Sequence, residues 1–368
     1  MALNTRGKIL VCFLILVSAV TACQVEQAPE LTLTKPPSSL ISTAKPSQTP
    51  VPTPTFIPLP TPMPQTESNC PSNGWTLYNE ENGLSGNVVE ILAIDRLGGI
   101  WVGFDDSSLN RMSNGKWFTL QKSFASGIIN AILPLDDGSV WLGTQGGVGS
   151  YYKDQVWEDF ILKPGGKPTS IYAVGVSSVG EVFLGSWNGL FTLVDREFVG
   201  FLKPVPPDYQ FAVKSITFDQ DGGMWVGAKY NIHYYKDGIW GTFERTGEPY
   251  YDIVDIEELQ NGEMWFATMD GVYTYDGRKW QPNSPEIYNS EGDRVRVTVY
   301  SLAQSPDGRI WIVVKGNNGK EIQVYENGSW KPMELGGGDT EAKPRWVEVD
   351  SWGAVWFGTS QGVLCYNP

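Results

Sequence analysis

Beyond residue 68 the chain alternates short apolar runs with polar turns and sustains no 3.6-residue periodicity. Runs such as "VVEILAI", "IINAILPL" and "VKSITF" are broken every ten residues or so by Gly, Asp and Asn. This pattern predicts short β-strands joined by tight turns, hence an all-β domain. The pattern also has a long period. Large aromatic anchors fall at Trp101, Trp141, Phe183, Trp225, Trp265, Trp311 and Trp356, spaced 40, 42, 42, 40, 46 and 45 residues apart.

Three residues before every anchor stands a glycine (Gly98, Gly138, Gly180, Gly222, Gly262, Gly308 and Gly353), as a turn needing positive φ requires. In each unit an apolar strand precedes the glycine, the anchor marks a second strand and tyrosine-rich segments a third. Trp117, Trp157, Phe198, Trp240, Trp280 and Trp330 mark a fourth. Four short strands per period describe a propeller blade, and seven periods a seven-bladed β-propeller. The last unit, ending in "GVLCYNP", lacks its fourth strand, and the segment around Trp75 has a fourth strand without a blade. The reading is a ring whose last blade is closed by the N-terminal strand, which removes the exposed sheet edges. Closure brings Cys70 beside Cys365 as a disulfide pair, which would be worth about 4–5 kcal/mol in the chain-entropy model. The alternative is two buried free thiols.

The units resemble the two-component regulator propeller repeat. Its outline, an apolar strand, Asp, two residues, Gly and then x-x-W-x-G-T-x-x-G-[LV]-x-x-[YF], is matched by "DDGSVWLGTQGGVGSYY", "NGEMWFATMDGVYTY" and "WGAVWFGTSQGVLCY". The resemblance covers essentially residues 75 to 366, and its strength lies in seven copies in phase. It implies an extracytoplasmic sensor domain that binds a ligand. In that family such domains are commonly coupled to a membrane helix and a histidine kinase; the sequence to Pro368 contains neither, so the resemblance speaks for fold and ligand binding more than for signalling.

The first 66 residues are of another kind. Arg6 and Lys8, the apolar run "ILVCFLILVSAV" and the small residues before Cys23 form a secretory leader, residues 1–22. "VTAC" resembles the lipobox of bacterial lipoproteins, which implies a lipid on the Cys23 thiol; an ordinary signal peptide with a chance cysteine is the alternative. Residues 31–66 hold 10 Pro and 8 Thr, a composition that favours extended polyproline II, so residues 23–68 read as the lipidated cysteine and a stalk. The propeller then occupies residues 69–368. With 27 basic and 41 acidic residues the net charge is −14, which argues against nucleic acid or anionic lipid as partners of the folded part. The membrane is then reached only through the Cys23 lipid, on the extracytoplasmic side of the cell envelope.

Catalytic signatures are sparse. The sole histidine, His233, lies on a third strand without a nucleophile in context, although streptogramin lyases of the same shape rely on a histidine base. Turn carboxylates in "LDDG", "DQDG" and "SPDG" match no calcium loop, the sialidase Asp box is absent, and "KPGGKPTS" has the wrong order for a phosphate loop. No cofactor or metal is therefore assigned. Asp252 with Asp255, or Asp105 with Asp106, are the carboxylate pairs that an acid–base enzyme would use.

Candidate ligand-binding residues are those where the repeat breaks. Trp187 and Trp346 have no place among the blade-packing tryptophans and fall on the upper face, whereas Trp352 falls in a lower turn. Eleven residues before each anchor stands a non-repeating series: Glu90, Asn130, Tyr172, Lys214, Val254, Tyr300 and Arg345. These positions place a mixed polar ring at the mouth of the central channel. Two connections are long: Trp280 to Val299 spans 19 residues against 12 to 15 elsewhere, and Trp311 to Trp330 spans 19 against 15 or 16. They carry Arg294 and Arg296, and Lys315 and Asn317. Asp105 and Asp106 replace "TQGG"-like sequence in the first unit. Aromatic faces beside polar groups suit a glycan, peptide or protein ligand, or another extracellular small molecule. The leading expectation is non-catalytic recognition or sensing; the alternatives are a carbohydrate-active lyase or hydrolase, or a scaffold of an envelope complex.

Overall fold

The repeat's turn chemistry sets the fold. The seven glycines before the anchors take φ between 79° and 93°, a region open to glycine at little cost. In three units, those of Trp101, Trp225 and Trp356, an aspartate six residues before the anchor caps the same turn. Asp95 Oδ1 accepts from the backbone N–H groups of Leu97 and Gly99, and Asp350 Oδ1 from those of Trp352 and Ala354. The second carboxylate oxygen takes the anchor's indole N–H: Trp101 to Asp95 at 3.0 Å, Trp225 to Asp219 at 2.9 Å and Trp356 to Asp350 at 3.1 Å. The Asp-x-x-Gly-x-x-Trp spacing thus encodes one closed turn with its buried donor satisfied.

The computed structural model describes residues 67–71, 74–120, 127–201, 212–229, 231–243, 252–316, 319–336 and 342–368. The leader, Cys23, the stalk to residue 66 and Asn317 lie outside them. Among the described residues there are seven four-stranded antiparallel sheets, a seven-bladed β-propeller. Their inner strands are Val89–Ile94, Ile129–Pro134, Ile171–Val176, Val213–Phe218, Ile253–Glu258, Thr298–Gln304 and Pro344–Val349, which number the blades 1 to 7. In blade 7 the outer strand is Gly74–Tyr78, paired with Gly362–Asn367 in the register Trp75↔Tyr366 and Thr76↔Cys365. A disulfide joins Cys70 to Cys365, with Cα atoms 5.9 Å apart.

Apolar clusters lie between neighbouring blades, each mixing residues of two sheets. The anchors Trp101, Trp265, Trp311 and Trp356 are among the largest fully buried side chains. The second glycine of the motif is there for space: a Cβ on Gly143 would come within 2.5 Å of Ile171 in the next blade. Residues 68–70 dock at the lower end, where the turns between first and second strands lie. Asn69 donates to Gly98 O at 2.6 Å and accepts from Gly115 N at 2.8 Å, while Ser68 donates to Asp350 at 2.5 Å. The connections between blades, including the long one, are at the opposite end.

Candidate functional site

Every inner strand shifts register near its start, after its first residue in six blades and after its second in blade 6. The extra residue at each shift is Glu90, Asn130, Tyr172, Lys214, Val254, Tyr300 or Arg345, so the series eleven residues before the anchors is a ring of β-bulges. A bulge re-aims its side chain, which is why this position escapes the apolar alternation of its strand. The ring's charges are spent on neighbours. Arg345 pairs with Glu90 across the junction of blades 7 and 1, and Trp346 donates its indole N–H to Glu90 O. Lys214 pairs with Asp252 of the next blade at 2.5 Å, and Asn130 donates to Ile171 O at 3.1 Å. Trp346 is thereby turned into the blade junction, packed against the clusters on both sides of blade 1.

Below the ring the inner strands carry three carboxylates that the sequence reading largely missed. Asp255 accepts from Leu302 N at 3.0 Å, and burial pushes its pKa up to about 6. Glu257 is pushed up to about 8 by burial and then by the Asp255 charge, and Glu348 is raised well above the usual carboxylate range by burial and by both other acids. All three are half-buried by surface exposure, yet desolvation dominates because a narrow channel wets a side chain without giving it bulk hydration. Asp252 and Asp255 do not form a paired acid and base; one holds Lys214 and the other faces the inner strand of blade 6.

The remaining sequence candidates are dispersed. Trp187, 40% exposed, has the Lys229 ammonium 5.9 Å from its ring centroid on blades 3 and 4. Asp105 and Asp106 are exposed in blade 1, where Asp106 accepts from Ser108 N at 2.8 Å. Lys315 is exposed at the end of a second strand in blade 6. Arg296 pairs with Asp270 at 2.8 Å and Arg294 lies 3.7 Å from Glu286. His233 is 2% exposed, shares a 3.0 Å hydrogen bond with Thr242, and is held near pKa 4 by burial.

The two long connections do meet. Residues 284–288 and the two outer strands of blade 6 enclose a cleft of about 520 Å³, within the 300–1,000 Å³ of small-molecule sites. Its walls include Ile287, Tyr288, Glu321, Gln323, Trp330 and Pro332. None of the inner strands contributes to it, so it lies on the perimeter between blades 5 and 6 and not at the channel mouth. The connection is held by its own chemistry: Asn289 Oδ1 accepts from Glu291 N and Asp293 N, Val295 N donates to Ile287 O, and Ile287 and Val297 are buried. Trp330 fixes the wall by donating its indole N–H to Asn283 O at 3.0 Å. Tyr288 is 51% exposed, its hydroxyl 3.0 Å from Glu286. Trp330 holds a blade-packing position of the repeat and also borders the cleft, which only its neighbourhood in the fold reveals.

Among the described residues no group of three or more His, Cys, Asp or Glu is gathered to hold a metal ion, and no helix is long and apolar enough to cross a membrane. No protein-family profile matches the chain and no curated protein does. Solved structures do resemble it in fold. One is the extracellular domain named for a hybrid two component system from B. thetaiotaomicron, at 20% identity and TM-score 0.63, over 82% of this chain and 42% of that one. A second, named for a one component system of the same organism, has 15% identity and TM-score 0.63, over 80% and 40%. A third is virginiamycin B lyase from Staphylococcus aureus, at 14% identity and TM-score 0.63, over 79% and 98%. The chain thus spans less than half of the two extracellular domains, and the propeller fold is what all of these share with it.

Proposed function

We propose that the chain is a lipid-anchored, extracytoplasmic recognition protein that binds a ligand without transforming it, in a sensory role. The observation that carries this reading is the cleft between blades 5 and 6, built where both irregular connections of the repeat converge. Rigid scaffolds commonly place binding groups on such connections. The leader and Cys23 of the sequence support the anchor, and the fold likeness to extracellular domains of sensor systems supports the location. Residues 68–70 join the ring at its lower end, opposite the end that carries the long connection.

The lyase likeness supports the rival reading less well. A structure of catalytically inactive virginiamycin B lyase, made so by replacing a histidine with alanine, holds quinupristin. Here the sole histidine is buried in blade 4 and kept neutral at pH 7. The test is a glycan and peptide array probed with the protein, its Tyr288→Ala cleft variant and its Arg345→Ala mouth variant. Binding that Tyr288→Ala weakens and Arg345→Ala spares is the expected result; silence on every array, or turnover of a bound glycan, overturns the proposal.

A further inference from the structure

Gln323 is 6% exposed and lines the cleft, and among the described residues its carboxamide has no hydrogen-bond partner, its polar atoms being open to the cleft. The reason lies in its strand partner. At the same register in three other blades a polar side chain bonds the residue opposite it on the outer strand. Asn110 reaches Thr119 at 2.9 Å, Ser150 reaches Asp159 at 2.7 Å and His233 reaches Thr242 at 3.0 Å. Opposite Gln323 stands Pro332, which has no group to offer. The carboxamide is therefore left facing the solvent of the cleft, where its N–H and C=O groups are placed to bond a ligand seated there in exchange for water.

Two residues along the same strand face, Glu321 also lines the cleft, and its carboxylate has no hydrogen bond or ion pair among the described residues. It folds back over Gly316, where a Cβ would stand 2.0 Å from its Cδ. The lining residues include no lysine or arginine, while Tyr288 and Trp330 present aromatic rings. An anion is repelled by such a site, and an apolar ligand would leave Glu321 and Gln323 dry and unbonded.

We infer that the cleft binds a primary ammonium group, with Glu321 as its charge partner, the Gln323 carbonyl as a second acceptor and the Tyr288 and Trp330 rings as walls. Charge-assisted hydrogen bonds and cation–π attraction act together there. The same chemistry is carried by the lysine side chain of a peptide and by a free diamine. This inference rests on the recognition reading above and names the ligand class of that site.

The experiment is isothermal titration calorimetry of the purified protein with Nα-acetyl-lysine methylamide, 1,5-diaminopentane, choline and a neutral disaccharide. A primary ammonium probe is expected to bind, and choline, which has no N–H, to bind more weakly. Glu321→Gln should weaken binding about 10-fold or more and Gln323→Met several-fold, at unchanged melting temperature. Gly316→Ala, which must push the Glu321 carboxylate aside, should weaken it as well. Preference for the lysine derivative identifies a peptide source, and preference for the diamine a free amine; either supports the inference. If the disaccharide binds as well as the amines, or if Glu321→Gln leaves amine binding unchanged, the ammonium assignment is overturned while recognition at the cleft stands. If no ammonium probe binds, the assignment also falls, and the arrays then decide separately whether the recognition reading survives.

Discussion

Gln323 stands directly across the outer strand pair of blade 6 from Pro332, whose side chain can neither donate nor accept, as Tyr273 stands across from Pro282 in blade 5. Replacing Gln323 with methionine keeps the volume and removes a carboxamide that faces only the cleft. The variant should keep its stability within about 0.5 kcal/mol. Removing a partner where one exists should cost stability: Thr119→Val, which strips one of two acceptors from the Asn110 amide, should cost about 1 kcal/mol. Urea midpoints at unchanged slope measure both.

The Cys70–Cys365 disulfide closes a separation of 295 residues, and with the Gly74–Tyr78 strand it latches blade 7. Changing both cysteines to serine should lower stability by about 3–5 kcal/mol, a fall in melting temperature of about 5–8 °C. Scanning calorimetry with and without reductant checks it: reductant should shift the wild type toward the double variant and leave the variant unmoved.

Asp95 and Arg111 form a buried ion pair at 2.7 Å, with 7% and 2% of their side chains exposed. Asp95 also holds the turn and the Trp101 indole, so Asp95→Ala strands a buried guanidinium and a buried N–H together. A loss of about 3–5 kcal/mol is expected, much reduced when Arg111→Met is added. A double-mutant cycle in urea measures the coupling.

Acid should stabilise the ring. The folded pKa values of Asp255, Glu257 and Glu348 lie above their ordinary values, so the folded state holds protons more tightly than the unfolded chain. Their contribution is complete below about pH 4 and is lost as pH rises through about 6 for Asp255 and about 8 for Glu257. Between pH 5 and 8.5 the wild type should lose about 1–2 kcal/mol, less than full linkage because channel water screens the charges. Glu257→Gln should flatten that slope, read from urea midpoints across the range.

The fold was legible because its instructions are local and repeated. Gly98, Asp95 and Trp101 close one turn within seven residues, and seven copies in phase leave little freedom in counting blades. Even the missing outer strand of blade 7 showed as a spare tryptophan, Trp75. The channel-mouth ring was found by position, but its ion pairs were not, because Arg345 and Glu90 lie at opposite ends of the chain and meet only when the ring closes. Glu257 and Glu348 look like ordinary strand residues until their strands become the channel wall. Gln323 was invisible for a further reason. Its lack of a partner is a property of the register that sets it against Pro332, and no spacing in the sequence reports register.

The most direct test of the account is hydrogen–deuterium exchange of the protein with and without the strongest ligand found on the arrays. Slowed exchange confined to residues 283–297 and 319–333 is the predicted result. Protection centred instead on the inner strands Val89–Ile94 and Pro344–Val349, with the blade 5–6 cleft unchanged, would contradict it.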